Sequence, residues 1–591
     1  MPASHNRRSY ASNAAPNAAR NTGQNALMTI VSIVVVVGVL LFLTRDVFSQ
    51  LIFLSQSENP IRNVAIFTAI WLIAIASLKA VLTVRLTAVH VFWNLFLTLV
   101  VLAHLSLLLI LADNLTLFDI RRMWIERGEA VAALLFYWSE LLLPLLIAVA
   151  FSLSLFRIRT WLLSRYRPSS SCVAAGFPGF VIGILAAMVA MKGPTAVEGM
   201  AGVYTLPGFL SVILFEQIVD ERPERRPVTA IAGKPLISNV IVVMDESVSG
   251  DFFGQDTDYS LVPSLKAHAD AVINYGVATS AHNCSSYSNA VLRWGVVPGA
   301  FEQALRLPTI WQYSQASGYT STYIDAQKPP GTLANFMNID ELSFINQVKQ
   351  LNVEQIERHQ AFMRIDFDIV DHLVSLVADD KPDFIYINKL GVHFPYEGKY
   401  PASSTRFQPA MALFEPIGHS DRQALINSYK NAIAWNVNGF FDRLLNSIDL
   451  DNTVVIYTSD HGQDLLEEGK GLLTHCNRNS GSAYQGMVPM MVLTRHPQLR
   501  QRFESSLAEN RHQLSHFNVF PTVLEILGYE HDFVKQHYGD AMFYPVERIG
   551  KFYTSELFLP EHAQHDYEWK SVPLPTPSRL LSGALVSQHA D

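Results

Sequence analysis

Apolar residues run almost without interruption through the first third of the chain, then break into short, separated runs. Five early stretches, near 27–45, 63–83, 90–112, 130–155 and 174–192, approach the ~20 apolar residues that a helix needs to cross a bilayer. No small-residue cleavage site follows the first, and four more spans come after it, so it reads as a retained span rather than a signal peptide. From 237 onward apolar runs at 239–244, 319–324, 383–388, 453–458 and 489–493 predict strands. Helical periodicity over Ala424–Leu445 and Phe517–Gly528 falls between and after them. Strands alternating with helices predict an α/β domain with a mostly parallel sheet. Between the two regimes, Tyr204–Phe215 predicts a short amphipathic helix at a membrane surface, followed by the charged, proline-broken linker Glu221–Pro227.

Basic residues orient the apolar part. Arg7, Arg8, Arg20, Lys79, Arg85, Arg157, Arg159, Arg165 and Arg167 fall on one side of the five spans. Arg45, Arg62, Arg121, Arg122 and Arg127 fall on the other. The richer side is predicted to be cytoplasmic, which sends the C-terminal half outward, into the periplasm of a Gram-negative cell. The expected plan is a cytoplasmic tail (1–26), a transmembrane domain of five helices (27–192) and an amphipathic connector with linker (193–236). A periplasmic domain (237–560) and a C-terminal tail (561–591) complete it. A net charge of −8 with no basic stripe argues against nucleic acid as a partner. Of three cysteines, Cys172 sits near the cytoplasmic end of the fifth span, so only Cys284 and Cys476 could meet in an oxidising compartment. A disulfide and two free thiols are both compatible with that spacing.

The candidate chemistry lies at strand ends. Thr453–Ser459 delivers Asp460 and His461, and Asn239–Met244 delivers Asp245 and Glu246. Open α/β sheets bind ligands at that edge, and carboxylates with an imidazole there suit a divalent metal. Zn²⁺ is expected, with Mn²⁺ the alternative. The small polar segment Asn283-Cys-Ser-Ser-Tyr-Ser-Asn runs into a predicted helix. A hydroxyl at such a start meets free N–H groups and the positive end of the dipole, which favours a phosphoryl group. Ser285 is the candidate nucleophile, activated by the metal. Taken singly, each of these residues has an ordinary structural explanation: a turn, a helix cap or a solvated acid. Glu140, an acid inside the predicted fourth span, is a functional candidate by default, and an interfacial position would make it ordinary. His268, His282 and His496 are expected at the surface.

In order along the chain, Met-Asp-Glu246-Ser, the Ser285 loop, Leu-Gly-Val-His393-Phe-Pro, Ser-Asp460-His461-Gly and Thr-His475-Cys resemble the membrane-bound phosphoethanolamine transferases. That family belongs to the alkaline phosphatase and sulfatase superfamily. The resemblance covers almost the whole chain and implies five spans followed by a periplasmic, alkaline-phosphatase-like α/β sandwich. It implies a metal held by Glu246, Ser285, Asp460 and His461, with His393 and His475 contacting the transferred phosphate or a second zinc. Lys328 falls where the family has a phosphate-binding lysine, Glu129 resembles a lipid-facing acid, and His516 falls on the Ser-His-x-Asn helix start. Ser285 also matches the sulfatase pattern, with Gly295 ten residues on and Asn289 in place of the sulfatase arginine. Asp245 stands where the transferases have glycine, a candidate extra ligand.

The implied activity is transfer of phosphoethanolamine from phosphatidylethanolamine to lipid A, lipopolysaccharide core or a periplasmic glycan, through a phosphoryl-serine. Two competing readings are a phosphoglycerol transferase or sulfatase-like hydrolase on the same fold, and a catalytically inactive membrane-anchored sensor or scaffold.

Overall fold

The computed structural model describes the chain except residues 1–14, 112–114, 126–136, 193, 219–222, 253–257, 329–330, 332, 334, 352–362, 379–380, 413–421, 468–474, 477–480, 559–566 and 574–591. It divides into two units, Met1–Asp220 and Glu221–Asp591.

In the first unit, five helices are long and apolar enough to cross a membrane: Ala26–Leu43, Pro60–Thr83, Thr87–Ile110, Leu142–Leu163 and Ser171–Lys192. Four fall close to their predicted limits. The fourth, predicted at 130–155, is found at 142–163. The apolar run Ala130–Phe136, which drew the prediction towards the N-terminus, lies outside the described residues, as does Glu129. At its other end the helix continues past Arg157 and Arg159, and the Arg159 guanidinium donates to the carbonyl of Val84 at 3.0 Å. A charge near a helix end is tolerated when it snorkels to polar groups in this way. The shift also places Glu140 in the turn ahead of the helix, exposed, accepting a hydrogen bond from Ser139.

Buried polar contacts tie these helices together. Ser152 Oγ donates to Asn94 Oδ1 at 2.9 Å, and the Ser77 and Tyr204 hydroxyls lie 3.2 Å apart. Tyr204 belongs to a helix over Gly202–Ile218 that is longer than predicted and packs into the core of this unit, burying Leu206, Phe209, Val212 and Ile213.

The second unit is built on a seven-stranded sheet. Its strands are β1 (Asn239–Asp245), β2 (Val272–Thr279), β3 (Thr320–Asp325), β4 (Gln347–Gln350), β5 (Asp383–Asn388), β6 (Thr453–Ser459) and β7 (Met487–Leu493), in the order β2-β7-β6-β1-β5-β3-β4. The five strands from β6 to β4 run parallel and β7 is antiparallel to β6. Every residue of β1, β5 and β6 is buried. That is why these strands read as continuous apolar runs rather than as alternations.

Two strands escaped the sequence reading. In β2 the register shifts between Asn274 and Val277 around Gly276, a bulge that interrupts its apolar run. β4 is four residues long and carries a lysine and two glutamines. A separate hairpin pairs β8 (Lys551–Tyr553) with β9 (Trp569–Ser571), so the expected C-terminal tail contributes a strand. The predicted helix over Ala424–Leu445 is an α-helix (Arg422–Ala432), a π turn (Ile433–Val437) and a second α-helix (Asn438–Ser447).

Candidate metal centre and nucleophile

β1 and β6 are neighbours in register, with Asp245 beside Ser459, so the residues that follow both strands emerge together. Asp460 Oδ1 is saturated, accepting from the backbone N–H groups of Ser247 (2.9 Å) and His461 (2.7 Å). Its Oδ2 is buried with no hydrogen-bond partner among the described residues. An orphaned buried carboxylate oxygen is costly unless something positive occupies the space beside it. His461 Nδ1 donates to the carbonyl of Gly462 at 2.7 Å, because a carbonyl can only accept, and Nε2 is the ring nitrogen left to the site. That nitrogen lies 3.6 Å from Glu246 Oε1, 3.7 Å from Asp460 Oδ2 and 3.5 Å from Ser285 Oγ. Gly462 is required by a close approach: a Cβ there would sit 2.2 Å from the carbonyl oxygen of Tyr484.

Glu246, Asp460 and His461 each offer a ligand atom, and these atoms lie within 4.8 Å of one another. All three residues are buried. Burial, followed by the negative charge of Asp460, pushes the Glu246 carboxyl well above the usual carboxylate range, while Lys399 acts in the opposite direction. Burial opposes ionisation of Asp460 too, but His461 and the hydrogen bonds it accepts hold it below its ordinary value. Two carboxylates and an imidazole nitrogen converge in one buried pocket. A divalent cation fits that donor set, and mixed oxygen and nitrogen ligands suit Zn²⁺.

A second group shares Glu246 and brings in His393 and His475. The His475 ring lies 4.1 Å from that of His461 and 5.3 Å from that of His393, centroid to centroid. His393 Nδ1 donates to the carbonyl of Phe394, which again leaves Nε2 available.

Ser285 opens the helix Ser285–Trp294. Its carbonyl accepts from Asn289 Nδ2 at 3.0 Å, and Asn289 Oδ1 accepts from Tyr386 OH at 2.9 Å. Asn289, the residue in place of the sulfatase arginine, therefore braces the first turn. At the far end of this helix the buried Arg293 donates to Glu341 at 2.7 Å. Cys284 and Cys476 form a disulfide across 192 residues, which settles the alternatives left open by the spacing. The bridge joins the residue before Ser285 to the residue after His475. Replacing both cysteines with alanine is expected to destabilise the unit by about 2–5 kcal/mol. It should also lower turnover about tenfold, by freeing His475 from Ser285. Melting curves and initial rates, with and without reductant, check both effects.

The other sequence candidates fall elsewhere. Asp245 is turned away from both groups: Oδ2 accepts from Lys389 Nζ (2.5 Å) and Tyr457 OH (2.7 Å), and Oδ1 from the Glu246 N–H (2.9 Å). Strand alternation puts it on the opposite face from Glu246. Lys328 is half-buried in the turn after β3, where its charge acts on Asp325. His516 is fully buried, with Nε2 on the carbonyl of Ser459 (2.8 Å) and Nδ1 accepting from the Ala281 N–H (3.0 Å). It thus ties the end of β6 to the segment leading to Ser285. His282, expected at the surface, is fully buried, stacked on Tyr287 and bonded to the carbonyl of Ser555.

Two contributors went unnoticed in the sequence. Gln327 donates to Glu246 Oε2 at 2.8 Å, and Lys399 is a buried cation whose charge reaches Glu246. Neither belongs to a motif. The only signal is a lysine shortly after His393 in an otherwise aromatic turn.

Residues 238–529 match the Sulfatase family model. Two curated relatives from Salmonella typhimurium are similar over part of the chain. Phosphoethanolamine transferase EptA is 27% identical over 193 residues, which is 31% of this chain and 33% of the relative. Kdo(2)-lipid A phosphoethanolamine 7''-transferase is 27% identical over 176 residues, 28% of this chain and 30% of the relative. The aligned part spans about a third of the length of these relatives. Among solved structures, the integral membrane protein lipooligosaccharide phosphoethanolamine transferase A (EptA) from Neisseria meningitidis superposes with a TM-score of 0.56 at 17% identity. That match covers 86% of this chain and 96% of the other. It shows a shared fold.

Proposed function

We propose that this chain, carrying a Sulfatase-family domain at residues 238–529, is a metal-dependent transferase of the bacterial inner membrane with that domain in the periplasm. It moves phosphoethanolamine from phosphatidylethanolamine to an envelope acceptor, lipid A, lipopolysaccharide core or a periplasmic glycan. The observation that carries the reading is the meeting of Ser285 Oγ, at a helix start, with His461 Nε2, the orphaned Asp460 Oδ2 and Glu246. The five candidate spans and the similarity to transferases whose names specify phosphoethanolamine support the substrate class.

Glu246, Asp460, His461 and Ser285 would hold a zinc ion, which supplies Lewis-acid stabilisation of the serine oxygen and of the charge that develops on phosphorus. The rest falls to the protein. Ser285 Oγ attacks phosphorus, the bond from phosphorus to the diacylglycerol oxygen breaks, and the serine proton ends on that oxygen. The phosphoethanolamine group is left on Ser285. An acceptor hydroxyl, or an oxygen of a monoprotonated acceptor phosphate, then attacks phosphorus, the bond to Ser285 breaks, and the proton lost by the acceptor returns to the serine. The N–H groups of Ser285 and Ser286 at the helix start would stabilise the negative charge of the transferred group, those of Tyr287 and Ser288 being taken by the Cys284 carbonyl. His393 and His475 hold the non-bridging oxygens, and Lys328 is the weaker candidate for the same task. Two half-reactions on one serine predict ping-pong kinetics.

The donor is tested with full-length protein in detergent, a lipid A acceptor, and phosphatidylethanolamine or phosphatidylglycerol labelled in the head group. Label from phosphatidylethanolamine should reach the acceptor at least ~10-fold faster, a margin of about 1.4 kcal/mol in the barrier. Preferential transfer from phosphatidylglycerol would reassign the chain to phosphoglycerol transfer. Release of label into water alone would make it a hydrolase.

A further inference from the structure

Beneath the candidate centre lies a fully buried cluster that the proposed chemistry does not use. Lys389, directly after β5, places its ammonium against Asp245 Oδ2 (2.5 Å), Asn436 Oδ1 (3.3 Å) and Asp366 Oδ2 (3.8 Å), above the ring of Phe440. Lys389, Asp245 and Asp366 have no exposed surface. Asn436 comes from the π turn Ile433–Val437 and also donates to Asp366 Oδ2 at 2.8 Å. An isolated π turn inside a helix often marks a functional position.

Several outward contacts of this cluster lead to candidate ligands. Asp245 Oδ1 accepts the N–H of Glu246. The Lys389 carbonyl accepts from Gln327 Nε2 at 3.0 Å, and the same amide donates to Glu246 Oε2. The Asp366 carboxylate collects the N–H groups of Leu390 and Gly391, both at 2.9 Å, just ahead of His393. The Val392 N–H closes the loop on the Glu246 carbonyl at 3.0 Å. Gly391 has φ +57°, and a Cβ there would fall 2.5 Å from that carbonyl oxygen, so the loop is drawn down against β1 at a point only glycine fits.

We propose that Lys389 is a positioning residue that holds Glu246 and the His393 loop in register, so that the two ligand groups sharing Glu246 are presented together. The inference rests on the metal-centre reading above. Removing a lysine that bonds two buried carboxylates exposes both to mutual repulsion, so the cluster should relax and carry Glu246 and His393 with it. Groups that orient metal ligands from behind typically contribute 10–100-fold in metal affinity.

The test is zinc titration of the full-length, metal-stripped protein against a competing chelator, at a temperature where every variant is folded. Melting of the metal-free form is recorded alongside. Lys389→Met should weaken zinc binding about 10–100-fold relative to the natural chain. The double variant Asp245→Asn/Lys389→Met removes the uncompensated charge and so remains testable if the single variant does not fold. It should still bind zinc at least ~10-fold more weakly, because the tie to Glu246 and Asp366 is gone. Gln327→Leu cuts the other arm to Glu246, and its effect should be less than additive with Lys389→Met. Wild-type affinity in either Lys389 variant, with only the melting temperature lowered, would overturn the inference and leave a purely structural ion pair. If the natural chain itself bound no zinc or manganese, the metal-centre reading would fall instead.

Discussion

Replacing Ser285 with alanine should lower transfer by ~10⁴-fold or more while leaving the fold intact, with zinc still held by the three remaining ligands Glu246, Asp460 and His461. The Ser285 hydroxyl stands at a helix start beside the candidate ligands, where a covalent phosphoryl carrier can form. It opens a helix, lies 3.5 Å from His461 Nε2, and has its carbonyl braced by Asn289. Alanine keeps the helix start and removes only the oxygen. The two half-reactions distinguish loss of the nucleophile from a general disturbance. The variant should fail to release diacylglycerol from the donor even without acceptor, whereas a disturbed acceptor site would preserve that first step. Labelled diacylglycerol released from the purified variant, quantified against the natural chain, gives the answer. Residual activity within tenfold of normal would remove Ser285 from the mechanism.

The second large effect is expected on metal withdrawal. Glu246 and Asp460 are both buried, and burial together with the charge of Asp460 pushes Glu246 towards its protonated form while Asp460 is held ionised. Without a cation, one proton must take its place between them, and a protonated pair cannot activate Ser285. Chelation at neutral pH should therefore reduce transfer by at least ~10³-fold, with recovery on adding Zn²⁺. Glu246→Gln should reproduce the loss and resist recovery, because Glu246 is common to both ligand groups. Metal content by atomic emission, read beside initial rates, separates lost binding from lost chemistry. Full activity in a chelated sample free of zinc and manganese would contradict the metal assignment.

What was legible in the sequence follows from burial. β1, β5 and β6 are covered on both faces, so each shows as an unbroken apolar run, and the residues that end such runs stand out. Asp460-His461 and Glu246 could be picked out for that reason. Ser285 needed a local motif, and it sits at the helix start where the polar segment placed it. β2 did not show because a bulge at Gly276 interrupts it. The fourth span was misplaced because apolar residues continue on both sides of the membrane-length window, and composition alone cannot choose between them. Contacts between remote positions carried no local signal at all. Gln327 lies 81 residues from Glu246, and Asp366 meets Asn436 across 70. Asp245 drew attention as a candidate ligand because it is adjacent to Glu246 in sequence. Along a strand, adjacency means opposite faces, and Lys389 occupies the face it points to.

The central claim is that Ser285 carries the transferred group beside a metal held by Glu246, Asp460 and His461. The most direct measurement is mass spectrometry of the peptide containing Ser285 after brief incubation of the full-length protein with phosphatidylethanolamine and no acceptor. A phosphoethanolamine adduct on Ser285 that forms only in metal-loaded protein and disappears when acceptor is added is the predicted result. Turnover without any adduct, or with the adduct on a different residue, would contradict the account.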